Sequence, residues 1–148
     1  MLPHSLLVHP DGRIFVCDRE NNRIQIFSPT GQFLSAWTNL MRPAGIALQA
    51  DRVYVGELYS EQGGVDLVGR TMPETRWSQV TVRDLIGQVL ARWGGPDPFA
   101  PGSFASAHEL CLDRHGALYV GEVAETTLGR TGRYGPWAHS LQKFIRLH

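Results

Sequence analysis

The sequence predicts an all-β protein, a β-propeller fragment of three blades in which the last blade lacks its outer strand. Three observations carry this expectation. Short apolar runs rich in Ile, Val and Phe alternate with turn signals built on Gly, Pro, Asn and Asp, the pattern of strands in tight antiparallel connection. Residues 3–37, PHSLLVHPDGRIFVCDRENNRIQIFSPTGQFLSAW, hold four such runs in succession, which makes one meander of the kind that forms a propeller blade. The pattern then recurs twice.

Blade one, residues 3–37, is compact: Ser5–Val8, the Pro10-Asp11-Gly12 turn, Arg13–Cys17, a polar corner at Asp18–Asn22, Arg23–Phe27, the Ser28–Gly31 turn and Gln32–Trp37. Blade two, 43–94, opens with PAGIALQADRVYVGEL and closes with VTVRDLIGQVLARWG. Its halves are separated by Leu58–Gln79, where Gly63, Gly64, Gly69 and Pro73 argue against a long helix. The expectation is a long loop on one face, a place where insertions carry contacts to ligands or subunits. Blade three, 107–148, opens with AHELCLDRHGALYVGEV and resumes at LQKFIRL after a second long loop, Ala124–His139. No fourth strand follows, so this blade should present an open edge.

The copies align residue by residue. His4, Ala44 and His108 fall at one position, and Asp18, Glu57 and Glu122 at another. A carboxylate repeated in every blade points to a structural duty, such as accepting from backbone N–H groups of the adjoining loop. Trp37 and Trp93 match as packing residues.

Composition narrows the function classes. Lys+Arg and Asp+Glu both number 14, and no basic run appears, so nucleic acid is a poor candidate partner. No apolar stretch is long enough to span a membrane, and no signal peptide precedes the first strand, so a cytoplasmic location is expected. Cys17 and Cys111 fall at different strand positions, which argues against a disulfide and agrees with a reducing compartment. No Gly-rich phosphate loop, Ser-His-Asp arrangement or CxxC pair is present.

The candidate chemistry follows from the repeat. His4 and His108 begin inner strands, which line a propeller channel, and equivalent positions lie at one height around its axis. Two imidazoles facing one axis can share a metal, for which zinc is the natural choice. Asp18 or Glu109 could orient a ring from behind. The alternative is a pair of hydrogen-bonded structural histidines. Arg19, on the polar corner, could clamp a carboxylate; a solvated loop arginine or a blade-to-blade ion pair is the alternative, more so for Arg23.

Residues 11–25, DGRIFVCDRENNRIQ, resemble an NHL repeat. PHSL together with CDRENNRIQ, and GPDPFAPGSFASAHELCLDRHGALYVGEV further on, are similar to the peptidyl-α-hydroxyglycine α-amidating lyase branch of NHL propellers. That resemblance implies a six-bladed propeller of which this chain is the C-terminal half. It also implies a zinc ion held by histidines around the channel, and cleavage of peptidyl-α-hydroxyglycine to a peptide amide and glyoxylate. Under it, His4 and His108 match zinc ligands and Arg19 an arginine near the substrate. The family's remaining zinc histidine, its catalytic tyrosine and a further arginine belong to blades that would precede Met1. Glu109 stands where the family commonly has Asp or Gly.

An open arc of three blades leaves two apolar faces bare, which a two-fold homodimer closing six blades would cover. Three functions compete: a metal-dependent lyase-like enzyme, a scaffold presenting loops 58–79 and 124–139 to a peptide or protein, and a truncated product without a selected role.

Overall fold

The computed structural model describes residues 3–129, 132, 135 and 138–146. Among them, three antiparallel sheets of four, four and three strands follow one another along the chain. The first runs β1 (Pro3–Val8), β2 (Ile14–Asp18), β3 (Arg23–Phe27) and β4 (Phe33–Trp37), each strand beside the next. The second holds β5 (Pro43–Gln49), β6 (Arg52–Glu57), β7 (Gln79–Arg83) and β8 (Val89–Trp93). The third holds β9 (Ala107–Leu112), β10 (Leu118–Glu122) and β11 (Leu141–Phe144). These are the blades the sequence predicts. The inner strands β1, β5 and β9 lie side by side, so the blades fan out from a common line.

Alternation along each strand divides its side chains between two neighbours. Phe15, Cys17, Ile24, Ile26 and Trp37 of blade one pack against Ile46, Val53 and Val55 of blade two. Ala47 and Val80 of blade two, with Phe104 of the connection, pack against Leu110, Leu118 and Val120 of blade three. The outer half of blade two also reaches back. Gly87, in the β7–β8 turn at φ 92°, lies so close to the Trp37 indole that a Cβ there would sit 2.5 Å from Cδ1. Only glycine satisfies both the backbone conformation and that approach.

The repeated carboxylates have a repeated task. Each accepts from a side chain near the start of the third strand: Gln25 to Asp18 at 3.1 Å, Thr81 to Glu57 at 2.9 Å, Gln142 to Glu122 at 2.9 Å. Glu57 also accepts from the backbone N–H of Met41, and Glu122 from that of Ala105, each two residues before the inner strand of the same blade. In blades two and three the carboxylate thus ties the blade's entry to its outer half, accepting from backbone N–H as the sequence leads one to expect, whereas Asp18 of blade one accepts from side chains alone.

Two expectations need correction. Residues 58–79 form an arm rather than a loop. Bridges join Ser60 to Arg76 and Val65 to Thr71, and the tip turns at Asp66–Gly69. The Asp66 carboxylate accepts from Val68 N and Arg70 N, as Asp113 accepts from His115 N and Ala117 N in blade three. The turn chemistry of the blades is reused at the tip. The second expected loop, 124–139, begins with a short helix, α1 (Ala124–Gly129), whose Ala124 and Leu128 are buried. Residues 130, 131, 133, 134, 136 and 137 of that loop, and 147 and 148 of the expected last blade, lie outside the described residues.

Candidate functional site at the mouth of the inner strands

A β-bulge interrupts the first pairing of every blade at the same place. Register slips between Pro3 and Leu6, between Pro43 and Gly45, and between Ala107 and Glu109. His4, Ala44 and His108 occupy these irregularities. A bulge re-aims the side chain it carries. Here it brings the rings of His4 and His108 together across the intervening blade, edge to face, with centroids 4.6 Å apart. Ala44 between them is fully buried and small enough to leave the space to the two rings. Gly45 beside it is equally constrained: a Cβ would lie 2.6 Å from the His108 carbonyl oxygen.

The two rings are held differently. His4 Nδ1 donates to the carbonyl of Ala44 at 2.9 Å, which leaves Nε2 as the ring's basic nitrogen. Burial pushes the His108 pKa below the ordinary histidine value; the charges of His4 and Arg19 add to this, and Glu109 opposes it. A ring kept neutral retains a lone pair for a metal.

The other sequence-predicted residues lie nearby with different partners. Arg19 is on the 3-10 turn Arg19–Asn21, and its Nε donates to Glu20 Oε1 at 2.6 Å. Asp18 does not orient an imidazole; its carboxylate accepts from Asn21, Arg23 and Gln25. Arg23 is therefore paired within its own blade at 2.8 Å, not across blades. Glu109 is exposed and accepts from the N–H of Leu110 at 3.2 Å.

Beside the histidines sits an ionic cluster that the repeat alignment does not reveal. Glu20, only 2% exposed, accepts from Arg19, from Arg42 at 3.1 Å and from Leu67 N at the arm tip. Arg70 of the arm donates to the Glu20 carbonyl and to Asp66. Glu20 thus pins the arm of blade two onto the corner of blade one. Its partners are 22 and 47 residues away; Leu67 lies in the inserted arm and Arg42 aligns with Ser106 of blade three, so periodicity carries no trace of the cluster. Beyond the cluster, the arm and α1 enclose a cleft of about 180 Å³ lined by Arg42, Tyr59, Val65 and Thr126.

Burial raises the Glu20 pKa, but hydrogen bonds and charges from Arg19 and Arg42 outweigh it, so the carboxyl titrates below the ordinary 4.5. The folded value lies under the unfolded one. Its contribution is therefore complete above about pH 4.5 and is lost as pH falls through the depressed folded value. Thermal melts over this acid range should show a fall in stability that Glu20→Gln abolishes. An identical acid limb in the variant would show that other carboxyls cause it.

Among the described residues, no group of three or more His, Cys, Asp or Glu side chains is close enough to hold a metal, and no helix is long and apolar enough to cross a membrane.

Residues 1–27 match the NHL repeat model. NHL repeat-containing protein 3 of Homo sapiens is 44% identical over 154 aligned positions, covering 99% of this chain, and the Mus musculus protein is 30% identical over 143, covering 92%. The chain spans 36% of the length of each of these relatives. Among solved structures, a Bacteroides caccae protein of unknown function superposes with a TM-score of 0.63 at 13% identity, over 93% of this chain and 43% of that one. A streptogramin B lyase structure gives 0.53 at 16% identity, over 79% of this chain and 33% of that one. At these identities the structures speak to the fold alone. Repeat match, relatives and sheet architecture agree: this chain is a segment of NHL-repeat β-propeller.

Proposed function

We propose that this propeller segment binds a divalent metal at the mouth of its inner strands, in the manner of the amidating lyases that its sequence resembles. The observation that carries the reading is the edge-to-face meeting of His4 and His108 on equivalent bulges. Zinc suits such a pair of imidazoles, and the two rings form a partial ligand set that leaves further positions for ligands from outside the described residues. A metal bound here would supply Lewis acidity toward a substrate oxygen. The chain's own residues do the rest. The Ala44 carbonyl fixes the His4 tautomer, Gly45 allows the His108 backbone its close approach, and Arg19 sets a positive field at the mouth that suits an anionic substrate such as peptidyl-α-hydroxyglycine.

Elemental analysis of untagged protein tests this. Zinc should copurify, and His4→Ala and His108→Ala should each lower its affinity by at least about 10-fold. Release of glyoxylate from an α-hydroxyglycine peptide would extend the reading from metal site to lyase. Unchanged metal content in both variants would dispose of it.

A second reading is favoured by the arm itself. Val65, Leu67, Val68 and Trp77 are 67, 64, 49 and 44% exposed on one projecting element, beside the cleft against α1. Such a surface suits a peptide or protein ligand. Peptide binding that survives metal chelation and is lost on removing the arm would assign the segment to a non-catalytic scaffold.

A further inference from the structure

Blade two carries a second cleft, which shares no lining residue with the histidine pair. Thr75 and Trp77 at the root of the arm, Gln79 at the start of β7, Arg92 of β8 and Asn39 of the linker enclose about 340 Å³. Gly94 lets these parts close on one another. At φ 131° its backbone lies against the Ser78 carbonyl, closer than a Cβ allows, so the end of β8 is held against the arm's root. No carboxylate and no aliphatic residue lines the cleft.

Its charge has one sign. Arg92 stands opposite Thr81, on the face that holds the buried Glu57–Arg83 pair. Glu57 is committed to that pair, and Arg76 of the cleft wall is paired with Glu74 at 2.8 Å. Arg92 has no ion pair and no hydrogen bond to its side chain among the described residues, so one positive charge is left over. Burial lowers the Arg83 pKa, and the Arg92 charge adds to this against the pull of Glu57.

The neutral groups around that charge are also uncommitted on one side. Trp77 is 44% exposed, and Tyr59, which is not part of this wall, stacks on it at 5.7 Å and 26° from parallel. The indole is thus stiffened from one side and meets the cleft with the other. Asn39 gives its backbone carbonyl to Arg83 and keeps its side-chain amide available. Gln79 Nε2 donates to Glu57, which leaves Oε1 to accept; Thr75 Oγ1 accepts from Gln62 N, which leaves its hydroxyl to donate.

We propose that this cleft binds an acidic saccharide, a pyranose that bears a carboxylate. Arg92 pairs with the carboxylate through two parallel N–H donors. The indole takes the apolar C–H face of the ring, a flat surface against a flat surface. Asn39, Gln79 and Thr75 exchange hydrogen bonds with the hydroxyls, each of which has both a donor and acceptor sites to satisfy. An acidic peptide fits less well. Its carboxylate would satisfy Arg92, but its aliphatic side chains would find no apolar wall beyond the indole. The site needs neither a metal at the histidines nor the exposed tip of the arm.

Calorimetric titration with a glucuronate-containing tetrasaccharide, in the presence of a metal chelator, tests this. Binding should be saturable, and reduction of the sugar's carboxylates to alcohols should weaken it at least about 10-fold. Arg92→Gln and Trp77→Ala should each weaken it by a similar factor with unchanged β circular dichroism, since both side chains are exposed. Arg52→Gln, which removes an exposed cation at the opposite end of β6 from Glu57, should bind as wild type. Absence of saturable binding, equal affinity for the reduced sugar, or unchanged affinity in Arg92→Gln overturns the proposal. So does a glutamate-rich peptide that binds as tightly as the sugar, which would make this a site for acidic peptides. Equal weakening by Arg52→Gln would mark diffuse attraction and overturn it as well.

Discussion

Replacing Glu57 with alanine should destabilise the fold by about 3–5 kcal/mol, because it strands a buried cation. Glu57 and Arg83 are each 1% exposed, 3.6 Å apart, in the middle of blade two. The carboxylate accepts from Met41 N at 2.7 Å, Thr81 at 2.9 Å and Gln79 at 3.0 Å, and Arg83 also donates to the carbonyls of Asn39 and Gly87. Burial pulls the Arg83 pKa below its usual value, and the charge of Glu57 resists this. Without that charge the guanidinium keeps its carbonyl partners but loses its neutralising anion, and the Met41 N–H loses its acceptor. Chemical denaturation should show the loss. The double variant Glu57→Ala, Arg83→Met should be more stable than Glu57→Ala alone, since no uncompensated charge remains. If the double variant is the weaker of the two, the damage comes from the lost hydrogen bonds and not from the stranded cation.

Phe15→Ala should cost a comparable amount, about 3–5 kcal/mol, by opening a cavity between blades one and two. Its ring is fully buried, 5.4 Å from that of Trp37, among Cys17, Ile46 and Val55. Urea melts followed by tryptophan emission would report both the lost stability and the altered surroundings of Trp37. A change smaller than that of Ile46→Val, about 0.5–1.5 kcal/mol, would mean that the two blades slide together and close the gap.

The blades were legible in the sequence because their physics is local. Turn residues fix the connections, period-two alternation fixes which side chains face a neighbour, and Asp18, Glu57 and Glu122 recur because each accepts from the third strand of its own blade. The approach of His4 to His108 was legible too, through their equivalence; the bulge that turns them toward each other was not, since nothing in Pro3-His4-Ser5 announces an extra residue. The partners of Asp18 were less legible, for a related reason. Its position repeats, but the side chains of Asn21 and Arg23, particular to blade one, take the oxygens that an imidazole would need. The arm at 58–79 read as a loop because two isolated bridges around Gly63, Gly64 and Gly69 leave no alternation to detect. Its attachment through Glu20, Arg42 and Arg70 joins distant residues whose types do not recur along the chain, and only the folded chain displays it.

The seating of Gly87 against the indole of Trp37 means that the segment repeated along the chain is not the segment that melts. The outermost strand of blade one is gripped by a hairpin belonging to blade two, and Arg83 of that hairpin fastens the linker at Asn39 as well. A cut in the linker at 38–42 would divide the polypeptide between two sequence copies while leaving those clamps in place. A duplication or permutation of this array whose junctions separate the β7–β8 turn from Trp37 and Asn39 would lose those clamps.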